Sequence, residues 1–153
     1  MFKPLVICYY VEGSLSSTQK KAIEDSISHL YSQSFSAFAS CKLIWMRIPK
    51  GQAYLENKHS TAATLLAPVP DHTEQTLRAQ FLYRLLDTWC ALTHSPRDGV
   101  VITAPDQALA KGFISASRNR MPVTRQIGYV LKLIARLIRS KFKAGFLETP
   151  VNF

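Results

Sequence analysis

Short apolar runs and longer segments with helical spacing take turns along the first two thirds of this chain of 153 residues. The apolar runs lie at about 5–11, 41–48, 61–69 and 100–103, and their β-branched and aromatic side chains are typical of buried strands. Two longer segments, after the first run and after the third, have apolar residues every three or four positions, which predicts amphipathic helices. The pattern therefore predicts two successive strand–helix–strand units.

Each predicted helix has a start signal. Ser16 and Gln19 are spaced as a capping box, in which each side chain satisfies a backbone donor of the first turn. Asp71 and Glu74 have the same spacing before the second helix. The first helix is predicted from about Ser16 to Tyr31 or a little beyond. The positions predicted to face the sheet are Ile23, Ile27, Leu30 and Tyr31 in the first helix, and Leu77, Phe81, Leu82, Leu85 and Trp89 in the second.

This order predicts an α/β (α+β) fold built from tandem βαβ repeats. A helix between two buried strands favours a parallel pair with a right-handed crossover. We therefore expect a four-stranded mixed sheet with two helices on one face, and a polar hairpin at 52–60. A ferredoxin-like βαββαβ chain is the main rival, because it has the same order of elements with different strand pairing.

The last third of the chain is different. Proline, glycine and asparagine interrupt 104–123, whereas 124–143 is predicted to be an amphipathic helix ended by Gly145. Its apolar stripe is Ile127, Val130, Leu131, Ile134, Leu137 and Ile138. We expect one domain, with a body at 1–106 and a C-terminal extension at 107–153 packed on it.

Charge is concentrated in that extension. The chain has a net charge of +9; residues 1–106 hold ten Lys and Arg against nine Asp and Glu, whereas residues 107–153 hold nine against Glu148 alone. The chain is thus a nearly neutral body with a basic appendage.

Four short motifs resemble the tautomerase superfamily, which includes 4-oxalocrotonate tautomerase, malonate semialdehyde decarboxylase and the 3-chloroacrylic acid dehalogenases. They are the strand opened by Pro4, the pair Glu12 and Gly13 that closes it, the polar helix start at 16–20, and the pair Lys50 and Gly51 after the second strand. The resemblance covers about residues 4–106, and the doubled unit matches the long, fused members. It implies the sheet described above and commonly a homotrimer.

The resemblance also implies where catalysis would occur. In that superfamily the base is the secondary amine of an N-terminal proline, but Pro4 is acylated by Lys3, and an amide nitrogen has no basic lone pair. The chain is therefore expected to lack classical N-terminal-proline activity. The α-amine of Met1 is the alternative base, since its ordinary pKa is about 7.7–8.0.

A small pocket for an anionic carbonyl substrate follows from the same resemblance. Lys42 stands where the superfamily has an arginine, Tyr54 stands where it has an aromatic residue, and Lys3 adjoins Pro4. The arginine expected after Glu12 and Gly13 is replaced by Ser14. If the chain is active, it is expected to be an isomerase of the keto–enol tautomerase type, or a related lyase, acting on a small 2-oxo acid.

The basic helix supports a function of a different class. A non-catalytic trimeric scaffold would use it to bind a polyanion, an anionic membrane surface or a protein partner. The alternative is that its stripe packs on the body or a neighbouring subunit while its charges are solvated. The candidate anion-binding residues are Arg118, Arg120, Arg125, Lys132, Arg136, Arg139 and Lys143.

Other chemistry is not indicated. The four histidines lack ligand spacing, so no metal site is expected, and no cofactor motif is present. Cys8, Cys41 and Cys90 are widely separated in apolar segments and are predicted to be buried free thiols. No secretory signal or membrane-spanning run is recognised, so we expect a cytoplasmic protein.

Overall fold

A computed structural model of the chain describes residues 3–37, 40–120 and 122–151, without the side chains of residues 117 and 118. The strands in it are β1 (Leu5–Val11), β2 (Lys42–Ile48), β3 (Tyr54–Leu55), β4 (Lys58–His59), β5 (Ala63–Leu66), β6 (Val100–Thr103) and β7 (Leu147–Pro150). The helices are α1 (Ser17–Ser34), α2 (Gln75–Thr93), α3 (Gln107–Asn119) and α4 (Val123–Ala144).

The main sheet confirms the predicted tandem arrangement. Its strand order is β6-β5-β1-β2-β7. β1 and β2 are parallel around α1, β5 and β6 are parallel around α2, and the two repeats meet where β1 and β5 pair antiparallel. β3 and β4 form the predicted polar hairpin.

The core lies between one face of the sheet and the two helices. Val6, Cys8 and Tyr10 alternate along β1 with residues that are only partly buried, as a strand with one covered face requires. All the predicted inner positions of α1 are buried, and they share one cluster with Phe81, Leu85 and Trp89 of α2. Leu77, predicted to face inward, is instead 38% exposed, because it lies in the first turn of α2, outside that cluster. The three cysteines are free, and only Cys8 is fully buried.

The two predicted capping boxes have different outcomes. The first forms, since the backbone amide of Gln19 donates to Ser16 Oγ and the backbone amide of Ser16 donates to Gln19 Oε1. The second prediction is wrong: within the described residues Glu74 occupies the N-cap without a side-chain bond to the backbone. Asp71 instead accepts a hydrogen bond of 2.7 Å from the backbone amide of Ala108 at the start of α3. The Asp71 carboxylate, which the local pattern predicts to cap α2, therefore caps α3 through a tertiary contact.

The extension supplies two elements that the pattern did not predict. Residues 107–119 form α3, and β7 adds a fifth strand that runs parallel to β2 along 44–47. Between them, α4 has nearly the predicted bounds, and Gly145 ends it with a φ of 83°, a value that glycine adopts without strain. None of the helices in the described ranges has the length and apolar content needed to cross a bilayer.

Candidate functional site

Three of the predicted site residues lie together at one end of the β1–β2 pair. The backbone carbonyl of Pro4 accepts a 2.9 Å hydrogen bond from the backbone amide of Lys42. Pro4 is buried, whereas Lys3 and Lys42 are exposed beside it. Met1, the alternative base, lies outside the described residues.

The surroundings of Lys42 contain both signs of charge. Lys42 and Lys141 line a groove of about 320 Å³ with the carboxyl groups of Glu24 and Asp25. Burial raises the pKa of Glu24, while a 3.0 Å hydrogen bond donated by Trp45 Nε1 acts against that rise. The nearby Cys41 thiol has its pKa raised by burial to about 11, so it is mainly protonated at neutral pH. An anionic substrate in this groove would meet two carboxyl groups as well as two ammonium groups.

Tyr54 lies at the far end of β2 from Lys42. It begins the β3–β4 hairpin, is 62% exposed, and has its ring centroid 4.7 Å from that of His59. Because a strand rises about 3.3 Å per residue, the length of β2 separates this hairpin from Lys42 by roughly 20 Å. Within one chain, Tyr54 therefore lies toward the opposite end of β2 from Pro4 and Lys42.

Several predicted cations are brought together on α4. Arg125, Lys132 and Arg136 line a groove of about 290 Å³ with Gly128 and Tyr129. Arg139 and Lys143 are exposed further along the same side of the helix, and Arg120 is exposed just before it. Arg118 belongs to α3, but its side chain lies outside the described part. We call the side formed by Arg125, Lys132, Arg136, Arg139 and Lys143 the basic face.

The chemistry of the basic face suits an anion. No Asp or Glu occurs anywhere from 107 to 147, so the helix brings no competing carboxylate. Burial raises the pKa of the Tyr129 phenol, and the nearby Tyr9 of β1 raises it further. Tyr129 therefore keeps its proton at neutral pH and is a hydrogen-bond donor among three cationic side chains. In the described ranges, by contrast, no three His, Cys, Asp or Glu residues cluster in a way that could hold a metal ion.

The structure also contains a charged cluster that the sequence pattern does not predict. Lys20 of α1 is buried, and its Nζ donates to Tyr10 Oη at 2.7 Å and to Glu148 Oε2 at 2.8 Å. The same Nζ lies 4.3 Å from the Tyr10 ring centroid and 4.6 Å from that of Phe146. Arg47 connects Glu148 to Glu12 through ion pairs of 3.6 and 3.5 Å. We call these five charged and phenolic groups the Lys20 cluster: Lys20, Tyr10, Glu148, Arg47 and Glu12.

The Lys20 cluster joins β7 to the body. Glu148 is on β7, Lys20 on α1, and Tyr10 and Arg47 on β1 and β2. Burial raises the pKa of Tyr10, and the Glu148 carboxylate raises it further, so Tyr10 stays neutral. The sequence does contain a signal for this cluster. Lys20 lies three and seven residues before Ile23 and Ile27, on the buried side of α1, and Glu148 is the only acid between 107 and 153.

Solved structures of three similar proteins have the same fold. The protein Ps01740 matches with a TM-score of 0.64 and 24% identity, over 67% of this chain and 93% of that one. A fused 4-OT, described as a symmetric trimer, matches with a TM-score of 0.60 and 18% identity, over 67% of this chain and 85% of that one. A member of the cis-3-chloroacrylic acid dehalogenase family matches with a TM-score of 0.62 and 11% identity, over 82% of this chain and 97% of that one.

These likenesses confirm the predicted resemblance at the level of the fold. The chain has the tautomerase-superfamily fold in its fused form, with both βαβ units in one polypeptide. No protein-family model and no curated protein sequence matches it.

Proposed function

We propose that this chain is a binding protein that uses the tautomerase fold as a scaffold and holds a polyanion on the basic face of α4. The observation that carries the proposal is the groove at Arg125, Lys132 and Arg136, three exposed cations around Tyr129 on a helix without acids. Phosphate- or sulfate-rich molecules pair with such cations by charge and by hydrogen bonds.

The test is binding of a heparin fragment to the full chain across a salt series. Binding should weaken steeply as salt rises, because each contact between a cation and the polyanion releases bound counterions. Affinity that does not respond to salt, or no binding at low salt, would contradict the proposal.

We also propose that the protein is a homotrimer. The support is that solved fused 4-OT structures with this fold are described as trimers. β6 is an outer strand of the sheet, Val101 on it is 56% exposed, and an exposed sheet edge favours pairing with another chain. A groove of about 300 Å³ between α2 and β6, lined by apolar residues such as Leu86 and Ile102, adjoins that edge.

A mass measurement by light scattering should give about three times the 17.2 kDa of one chain. Val101→Lys should lower that mass, since a lysine on an edge strand opposes pairing. Lys58→Gln in the exposed hairpin is the control and should leave the mass unchanged. A single-chain mass for the unaltered protein would refute the trimer.

Proton transfer on a small 2-oxo acid is the second candidate function. Its support is the shared position of Lys3, Pro4 and Lys42 at one end of the sheet. Against it stand the acylated nitrogen of Pro4 and the carboxyl groups of Glu24 and Asp25 beside Lys42.

We expect no enol-to-keto conversion of phenylpyruvate above background, either by the intact protein or by a chain trimmed to begin at Pro4. Activity in the trimmed chain alone would establish that a pocket survives and that the N-terminal residues silence it. Activity in the intact chain that Lys42→Ala abolishes would show that Lys42 is needed for the reaction, and would contradict the expected absence of activity.

A further inference from the structure

One side of α4 is apolar and exposed over the whole helix. Its six large side chains, Val123, Ile127, Leu131, Ile134, Ile138 and Phe142, are between 46% and 87% exposed, and Phe142 is the most exposed of them. They recur every three or four residues and so form one stripe about 28 Å long at 1.5 Å per residue. We call this stripe the apolar ridge.

The ridge, the basic face and the body occupy three different sides of α4. The side toward the body carries half-buried residues, namely Gln126, Tyr129, Val130, Leu133, Leu137 and Ser140, and the Ser140 hydroxyl donates to the backbone carbonyl of Phe146. At 3.6 residues per turn, the ridge and the basic face are about 140° apart around the helix axis. They lie on either side of the direction that points straight away from the body. Both are therefore presented away from the body at the same time.

We propose that α4 lies on the surface of an anionic lipid bilayer, with the apolar ridge inserted among the acyl chains and the basic face on the headgroup phosphates. This rests on the proposed function, since the lipid headgroups are the polyanion. A helix with a cationic side, an apolar side containing Leu and Phe, and no long apolar run is the type that binds in the plane of a membrane interface. Lys132 and Arg139 have stems long enough to reach headgroups while the ridge is inserted.

A bilayer is favoured over two other occupants. A nucleic acid would engage the basic face but leave the six ridge side chains in water. A second copy of α4 would cover the ridge but bring together two helices that each carry six cations and no acid. An anionic bilayer compensates these charges and takes up the apolar side chains in a single contact.

The experiment is flotation of the full chain with vesicles of phosphatidylcholine, with and without one quarter phosphatidylserine. The unaltered chain should float with the anionic vesicles and not with the neutral ones. The ridge variant, Leu131→Gln with Ile134→Gln and Phe142→Gln, should bind anionic vesicles about 30-fold or more weakly, because three apolar side chains no longer leave water. Its affinity for the heparin fragment should be unchanged.

Other outcomes separate the two proposals. Heparin binding without vesicle binding overturns the membrane inference and keeps the proposed function, and binding to neither overturns both. Vesicle binding by the ridge variant equal to that of the unaltered chain shows that the ridge is not inserted. If the ridge variant instead loses subunits by light scattering, the ridge is a contact between copies and the inference is wrong. Phe142→Ser alone, at the most exposed position of the ridge, is the second variant and should also bind anionic vesicles more weakly than the unaltered chain.

Discussion

Replacing Arg125, Lys132 and Arg136 together by glutamine should weaken binding to an anionic surface or a heparin fragment about 100-fold. Each Lys or Arg close to such a surface is worth about 1 kcal/mol, so three of them are worth about 3 kcal/mol, and 1.4 kcal/mol corresponds to a factor of ten. The three residues line one groove, which makes them the substitutions with the largest effect on binding. Titration at fixed low salt measures the change.

The matched control removes three charges elsewhere. Lys21, Lys50 and Lys58 are exposed on the body, and their replacement by glutamine lowers the net charge by the same amount. If binding depends on the basic face, this control should weaken it by less than about threefold, as a long-range effect that salt screens. Equal losses in the two triple variants would show that only the net charge matters, and would contradict a site on α4.

Replacing Glu148 by glutamine should lower the free energy of unfolding by about 3–5 kcal/mol, because it leaves the buried ammonium of Lys20 without its carboxylate. The side chains of Lys20 and Glu148 are 7% and 14% exposed and their charged atoms are 2.8 Å apart. For a chain of this length the melting midpoint should fall by roughly 6–20 °C. Urea unfolding followed by circular dichroism measures the free energy, and thermal unfolding followed by the same signal measures the melting midpoint.

Two further variants test this reason. Asp87→Asn breaks the Arg97–Asp87 pair, whose side chains are 64% and 60% exposed, and should cost less than about 1 kcal/mol. Lys20→Met combined with Glu148→Leu should recover most of the stability lost in Glu148→Gln, since apolar residues of similar volume often replace a buried ion pair without loss. A double variant as unstable as Glu148→Gln would show that β7 needs the charges themselves.

The sequence alone determined the tandem body. The alternation along β1, the spacing of Ile23, Ile27 and Leu30, and the capping box at Ser16 are all local patterns, and each has the predicted outcome. Such patterns can be predicted because they depend on the fixed repeats of strands and helices and on contacts within four residues. The helix 124–143 with Gly145 after it was predictable for the same reason.

Only the tertiary structure decided how distant segments meet. β7 is four residues long and includes Pro150, so no local pattern predicts a strand there. It forms because its backbone pairs with the edge of β2 and because Glu148 joins the Lys20 cluster. Asp71 has the spacing of a helix cap for α2, but its carboxylate accepts a hydrogen bond from the backbone amide of Ala108, 37 residues later. The apolar stripe of α4 was predictable as a stripe, but it was not predictable that the body would cover Val130 and Leu137 and leave Ile127, Leu131, Ile134 and Ile138 exposed. Local periodicity sets which side chains share a face, whereas the partner of that face depends on which surfaces the folded chain brings within contact distance.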